Sequence, residues 1–336
     1  MIRVGTVGAI GYGGRELIRV LGLHPEVKLV AAAELESGKR LDEALPAFRN
    51  LTDVVLEPFD AEALAKNCDV VFMAVPGTKS MALGAALRKA GARVIDQGPD
   101  FRIKDTALFA EYYKTEHTAS DLLDEAVYGW VPWYREQIRD ASLVAVPGCY
   151  PISVLTPLRP LVGQVNTDVP IVVDTISGIS GAGRALLEPF HFPEMNENVK
   201  AYKIGVHQHT PEIEQELHDA FMVQFTPHVG PYTRGILSTI TVRCDKAVDL
   251  AGLYACYDDE PFVRVLGEGN LAELKYIRGS NFCDFGWVMD NRTGNLIIVS
   301  AIDNLFGGTA GMAVQCMNVM FGLAETTGLT FAGMAP

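Results

Sequence analysis

An apolar run, Ile2–Val7, passes directly into a loop with glycines at Gly8, Gly11 and Gly14, and a helical stretch follows over Gly13–Leu23. A strand that turns through glycine into a helix commits the opening of the chain to a strand–helix unit. The pattern continues with strands over Lys28–Ala33, Val70–Ala74 and Arg93–Asp96 and a helix over Ser80–Ala90. Strands separated by helices of that length mean βαβ units and a parallel sheet.

The glycine loop, Val7-Gly8-Ala9-Ile10-Gly11-Tyr12-Gly13-Gly14, lets backbone N–H groups and a helix N-terminus approach a pyrophosphate. Its spacing is GxxGxxG rather than the commoner GxGxxG. The strand–loop–helix context makes dinucleotide binding the stronger reading, with Gly8, Gly11, Tyr12, Gly13 and Gly14 as cofactor contacts. The end of the second strand, Ala33–Arg40, should meet the adenosine ribose. Glu34 and Glu36 favour the free 2′-hydroxyl of NAD, whereas Ser37, Lys39 and Arg40 suit a 2′-phosphate. The reading leans to NADP, with NAD as the alternative.

A sequence of 336 residues is ample for two domains, and 28 basic against 41 acidic residues give a net charge of −13. Such a surface argues against nucleic-acid and anionic-membrane partners. No stretch approaches the roughly 20 apolar residues of a membrane span, and the opening lacks a cleavable signal, so a soluble, cytoplasmic protein is expected. The six cysteines show no CxxC or Cys/His metal spacing. Disulfides and metal are not expected.

Past Leu143–Val146 the texture changes to long β-rich runs, Val169–Thr175, Leu237–Cys244 and Leu296–Ala301, which suit a mixed or antiparallel sheet in a second domain. Residues 304–323 read as a glycine-rich start and a closing helix. At the junction stands Pro147-Gly148-Cys149-Tyr150-Pro151. A thiol at a helix start has its thiolate stabilised by the helix dipole and free N–H groups, which singles Cys149 out from five packing cysteines. Val206-His207-Gln208-His209-Thr210-Pro211-Glu212 joins two histidines to a helix start and a carboxylate, an arrangement for acid–base work with Glu212 near enough to orient an imidazole. Ser177-Gly178-Ile179-Ser180-Gly181-Ala182-Gly183-Arg184 reads either as an anion-binding loop or as a flexible loop with a solvated arginine. Asp100-Phe101-Arg102, Pro227-His228 and Arg234-Gly235 are weaker versions of it.

Together these pieces resemble the N-acetyl-γ-glutamyl-phosphate reductases of arginine biosynthesis, relatives of aspartate-semialdehyde dehydrogenase. The resemblance runs along nearly the whole chain, through GYGGRELIRVL, DFR, VPGCYP, SGISGAGR, HQHTPEIEQEL, FTPHVGPYTRGILSTI, IDNLFGG and AVQCMN in order. It implies an α/β fold: a Rossmann dinucleotide-binding domain over 1–148 and 304–336, completed by the C-terminal helix. An α+β catalytic and oligomerisation domain with a mixed sheet is inserted over 149–303. It implies that Cys149 attacks an acyl phosphate and that hydride from NADPH reduces the thioester, with His209 as acid–base group and Glu212 beside it. Arg102, Ser177, Ser180, Arg184 and His207 fall at substrate or phosphate positions. Pro76, Gly181 and Asn304 fall near the cofactor, and a homodimer or homotetramer is expected.

Departures from the family pattern cluster at expected pocket positions. GCYPT is here GCYPI, with Ile152 for a threonine. HRH reads His207-Gln208-His209, and Asn-Leu-x-Lys-Gly reads Asn304-Leu305-Phe306-Gly307-Gly308, each losing a cation. Pro-His is Pro76-Gly77, and Asp-Leu-Ser is Asp96-Gln97-Gly98. They leave two alternatives: the same chemistry on an aspartyl or carrier-linked aminoadipyl or glutamyl phosphate, and a non-catalytic NADP-dependent sensor. The intact Cys149, His209 and Glu212 argue against the sensor.

Overall fold

The computed structural model describes residues 1–336 apart from Glu36, Asp245 and Pro336. The chain forms two compact units, Met1–Pro147 with Thr309–Thr330, and Gly148–Gly308 with the residues from Phe331 onward.

The first unit is built on seven strands: β1 (Ile2–Val7), β2 (Val27–Ala33), β3 (Leu56–Glu57), β4 (Val70–Met73), β5 (Val94–Asp96), β6 (Val127–Tyr128) and β7 (Leu143–Ala145). Between them run α1 (Tyr12–Leu21), α2 (Ala61–Asn67), α3 (Ser80–Lys89), α4 (Thr106–Tyr113) and α5 (Val131–Asp140). The strand order is β3-β2-β1-β4-β5-β7-β6, and every pairing is parallel. The direction of succession switches between β1 and β4, and the crevice at the carboxyl ends of those strands is where such sheets take ligands.

Burial explains why these segments take these forms. All four residues of β4 are fully buried, as expected for a central strand covered on both faces. Each such side chain contributes roughly 1.5–3 kcal/mol. Helix α1 buries Leu17, Ile18, Val20 and Leu21 and keeps Arg19 on its partly open face, bonded to Glu16 at 2.7 Å. The closing helix, Gly311–Met320, has all ten residues buried and packs against α5 and α1. Its polar residues are satisfied locally. Asn318 donates to the carbonyls of Glu325 and Thr327 and meets His24 Nε2 at 2.9 Å, and Gln315 donates to Glu325 at 3.0 Å.

The second unit begins with α6 (Cys149–Leu158) and holds β8 (Ile171–Gly178), β9 (Lys200–Ala201), α7 (His209–Glu216), β10 (Val223–Gly230), β11 (Ile236–Arg243), β12 (Val263–Glu268), β13 (Cys283–Asp290) and β14 (Asn295–Ile302). The sheet order is β12-β13-β14-β11-β8-β10-β9, with β8–β10 and β12–β13 parallel and the rest antiparallel. Buried and open positions alternate along β8, β10 and β11, the period-two signature of a sheet with one covered face.

Several boundaries differ from the sequence reading. Strand β8 starts at Ile171, leaving Val169 45% exposed, and runs through Ser177-Gly178, which the sequence reading assigns to a loop. Pro227 sits inside β10, and β10 is bordered by a strand of only two residues. A proline is tolerated near such an edge because it removes a donor that a long neighbouring strand would need. The expected domain limits also shift. Residues 304–308 and those from Phe331 belong to the second unit, where Phe331 meets the Phe306 ring at 5.6 Å and Met334 N–H donates to the Arg278 carbonyl at 2.7 Å.

Candidate active site

Cys149 is the first residue of α6, preceded by Gly148 in an extended conformation as the N-cap. The helix has no side-chain cap. The Gly148 N–H donates to Glu212 Oε1 at 2.8 Å, and Glu212 is fully buried on α7. The carboxylate expected to orient an imidazole therefore also fastens the backbone that presents the thiol. On another side stands Gly308. A Cβ there would lie 2.7 Å from the Cys149 Cβ and 3.2 Å from its Cα, so only glycine lets the two segments approach this closely. The Asp303 carboxylate shapes the preceding turn. It accepts from the N–H groups of Leu305 and Phe306 at 2.9 Å each and of Gly279 at 2.7 Å, and Arg234 lies 3.5 Å away.

Helix α7 starts at His209, two residues before Pro211; a proline in the first turn removes an N–H that has no intrahelical partner. The His209 ring stands 4.9 Å from that of His207 and 5.8 Å from that of Tyr150, the residue after the cysteine. His207 is buried against Tyr150, Tyr202 and Phe225. Its Nδ1 accepts the His209 N–H at 3.1 Å, which places any ring proton on Nε2. Burial, with the charges of His209 and Lys203 adding to it, pushes His207 down to about 2, so it is neutral. His207 thus forms an aromatic wall that positions His209.

The two tyrosines are the residues that sequence reasoning misses. Their hydroxyls meet at 3.1 Å, and Tyr150 also donates to the His228 carbonyl at 3.2 Å. Burial pushes the Tyr202 phenol up to about 12, with its hydrogen bond to Tyr150 opposing the rise and the charge of Cys149 adding to it. Tyr150 is shifted upward for the same leading reason. The signal was present in the GCYP motif, but nothing local to Tyr202 announces it.

Of the Ser177–Arg184 segment, Ser177 and Ser180 are buried, while Gly181 and Arg184 are exposed. Asn304 donates to Ser180 Oγ at 3.0 Å and accepts the Gly235 N–H at 2.8 Å, joining two loops of this unit. The cation lost at Gln208 is answered from the neighbouring turn: Lys203 Nζ donates to Gln208 Oε1 at 2.8 Å. Gly307 is pressed against Asn281, whose carbonyl oxygen would stand 3.2 Å from an added Cβ. Ile152 is 3% exposed, an apolar core residue.

In the first unit the glycine loop has two kinds of glycine. Gly8 has φ +89°, and a Cβ there would meet the Ala74 carbonyl at 2.5 Å; at Gly14 it would meet the Gly8 carbonyl at 2.1 Å. Those two are demanded by the fold. At Gly11 a Cβ would touch nothing nearer than 3.9 Å, so the fold leaves room there for a ligand to approach the backbone. Gly13 and Tyr12 follow in the first turn of α1, with Arg15 5.8 Å from the Tyr12 ring. These features fit a pyrophosphate.

Glu34 turns back onto the loop and accepts the Ile10 N–H at 2.8 Å. Ser37 and Lys39 are exposed, Arg40 is paired with Asp42 at 2.9 Å, and Glu36 lies outside the described residues. Pro76 is exposed after β4. Arg102 is buried and donates to the Gln97 carbonyl at 2.7 Å. Among the described residues no group of three or more His, Cys, Asp and Glu could hold a metal, and no helix is long and apolar enough to cross a membrane.

Two family models match, described as the semialdehyde dehydrogenase NAD-binding domain over residues 3–141 and the semialdehyde dehydrogenase dimerisation domain over residues 149–304. The chain belongs to the semialdehyde dehydrogenase family. Within it, the chain is 48% identical to an N-acetyl-γ-glutamyl-phosphate reductase of Symbiobacterium thermophilum over 99% of this chain and 98% of that one. It is 45% identical to one of Desulforudis audaxviator over the full length of both. Among solved structures, aspartate semialdehyde dehydrogenase II of Vibrio cholerae aligns with a TM-score of 0.71 at 18% identity, over 96% of this chain and 98% of that one. The Candida albicans aspartate semialdehyde dehydrogenase with NADP aligns with 0.72 at 16%, over 96% of this chain and 99% of that one. At those identities the structures establish the semialdehyde dehydrogenase fold: a Rossmann-type parallel sheet and a second domain with a mixed sheet.

Proposed function

We propose that this enzyme reduces N-acetyl-γ-glutamyl phosphate to N-acetylglutamate semialdehyde with NADPH, releasing phosphate, as a cytoplasmic homo-oligomer of arginine biosynthesis. The observation that carries the chemistry is Cys149 as the first residue of α6, on a backbone clamped by Glu212 and pressed by Gly308. The acyl group follows the names of the relatives. Oligomerisation follows the description of the second family model.

The Cys149 thiolate attacks the acyl carbon. The C–S bond forms as the bond to the phosphate oxygen breaks, leaving a thioester and inorganic phosphate. NADPH, when bound, supplies the hydride that reduces the thioester carbon. His209 protonates the developing alkoxide, with N–H groups at the start of α6 holding the negative oxygen before that transfer. Removal of the same proton by His209 then expels the thiolate and frees the aldehyde. The family resemblance assigns Arg102, Ser177, Ser180, Arg184 and His207 to the substrate. The preference for NADP rests on Glu34, which spends one carboxylate oxygen on the Ile10 N–H, and on exposed Ser37 and Lys39.

The test is the reverse reaction: N-acetylglutamate semialdehyde, phosphate and NADP, followed by NADPH absorbance, with Cys149→Ser alongside. Phosphate-dependent NADPH formation that disappears in the variant is expected. Activity only with aspartate or aminoadipate semialdehyde overturns the acyl group, and silence with all three overturns the reductase. Repeating the assay with NAD decides the cofactor.

A further inference from the structure

Gln97 follows β5 at the carboxyl edge of the first unit's sheet and is 8% exposed. Its main chain is held twice: the N–H donates to the Met73 carbonyl at 2.8 Å, and the carbonyl accepts from Arg102 at 2.7 Å. The side chain has no such support. Nε2 and Oε1 are both shielded, and neither has a hydrogen-bond partner. A primary carboxamide carries two donors and a two-lone-pair acceptor, and burying all of them unmade is costly enough to require a reason.

The amide is aimed at the glycine loop. Gln97 Oε1 lies 3.3 Å from the point where a side chain on Gly13 would begin, and Thr309 Cγ2 lies 3.8 Å from the same point. Gly13 is in the first turn of α1, a ten-residue helix without a side-chain cap. The sheet order separates the two halves of a dinucleotide laid along that edge. Ser37 and Lys39 follow β2 on one side of β1, and Gln97 follows β5 on the other, beyond β4. A ligand whose pyrophosphate sits at α1 and whose adenosine extends toward β2 sends its other half toward Gln97.

We propose that Gln97 recognises the nicotinamide-ribose half of the dinucleotide, its carboxamide making with that half the hydrogen bonds it lacks in the protein alone. The inference rests on the cofactor reading given above. Arg102 and the Met73 carbonyl fix the backbone of Gln97, and the shielded side chain turns toward the bound ligand from that fixed point.

The experiment uses the full chain and two variants, Gln97→Met, which keeps the length but removes every hydrogen bond, and Gln97→Glu, which removes the donors and adds a charge. NADPH and NADH binding is titrated by their fluorescence, and adenosine 2′,5′-bisphosphate, which lacks the nicotinamide half, by calorimetry. The expected result is that Gln97→Met weakens the bound dinucleotide about three- to tenfold and leaves the bisphosphate unchanged. Without ligand the same variant melts higher, because an unmade buried amide has gone. Gln97→Glu weakens the dinucleotide further, since it removes the donors and adds a negative charge beside an anionic ligand. Wild-type affinity for the dinucleotide in Gln97→Met, or equal weakening of both ligands, overturns the proposal by making the amide a packing group of the loop. Failure of the wild-type protein to bind either dinucleotide is a separate result, and it overturns the cofactor reading itself.

Discussion

Cys149 and Gly308 touch so closely that the glycine has a steric reason independent of any chemistry: a methyl there would overlap the Cys149 Cβ at 2.7 Å. Gly308→Ala therefore displaces the thiol, and we expect kcat to fall at least about tenfold, a loss of roughly 1.4 kcal/mol of transition-state stabilisation. NADPH affinity should stay at the wild-type value in a binding titration; unchanged kcat would show that the thiol tolerates the shift. Asp96 gives a second residue-scale prediction. Burial holds its carboxyl up at about 7, against the ordinary 3.8, with Asp100 adding to the rise and the Gly98 N–H, 2.9 Å away, opposing it. Between those values the folded chain binds more protons than the unfolded one, so this group's contribution to stability declines as pH rises from 3.8 to about 7. Asp96→Asn removes the buried charge and keeps an acceptor for Gly98. It should stabilise the protein by a few kcal/mol at about pH 8 and by much less at about pH 5, read as melting temperatures at both. Equal effects at the two pH values would rule Asp96 out as the source.

At the scale of elements, the candidate site depends on how α6 and α7 are tied. One hydrogen bond, Gly148 N–H to Glu212, spans 64 positions of sequence and joins the start of the cysteine helix to the body of the histidine helix. Removing the acceptor leaves a buried N–H unmade, which costs about 1–3 kcal/mol. Glu212→Ala should show that loss in urea denaturation together with reduced kcat, whereas Glu212→Gln keeps an acceptor and should recover most of the stability. If both variants unfold alike, the charge rather than the hydrogen bond is what matters at this position. The first unit's glycine loop shows the same division of labour within one element: Gly8 and Gly14 are required by the Ala74 and Gly8 carbonyls, while Gly11 is required by neither.

For the whole molecule, the final stretch of sequence completes structure begun at its start. The closing helix, Gly311–Met320, is wholly buried in the first unit, and the residues from Phe331 belong to the second. Truncation after Gly308 removes no residue of the glycine loop, yet it strips the apolar faces of α1 and α5 of their cover. The truncated chain is expected to lose NADPH binding and its cooperative thermal transition together, seen by fluorescence titration and circular dichroism. Retained binding would show that the parallel sheet suffices without its closing helix.

The parallel sheet was legible because its strands and glycines are consecutive in sequence: β1, the loop and α1 follow one another with the periodicity and turn chemistry each requires. Cys149 was legible for the same reason, since Gly148 and Pro151 mark a helix start locally. The direction of the Glu34 carboxylate was not, because its partner, the Ile10 N–H, lies 24 positions away in sequence. Strands β10, β12 and β13 were also missed, and so were the Tyr150–Tyr202 pair, the Lys203–Gln208 contact and the inward-facing Gln97. A strand in a mixed sheet is stabilised by distant neighbours rather than by its own pattern. A side chain's partner across 52 positions, as for Tyr150 and Tyr202, leaves no local trace at all. Sequence by itself determined the parallel sheet, the helix start at Cys149 and the family pattern; tertiary structure alone decided what each side chain faces, because burial and hydrogen-bond partnership belong to the folded surroundings and not to the residue.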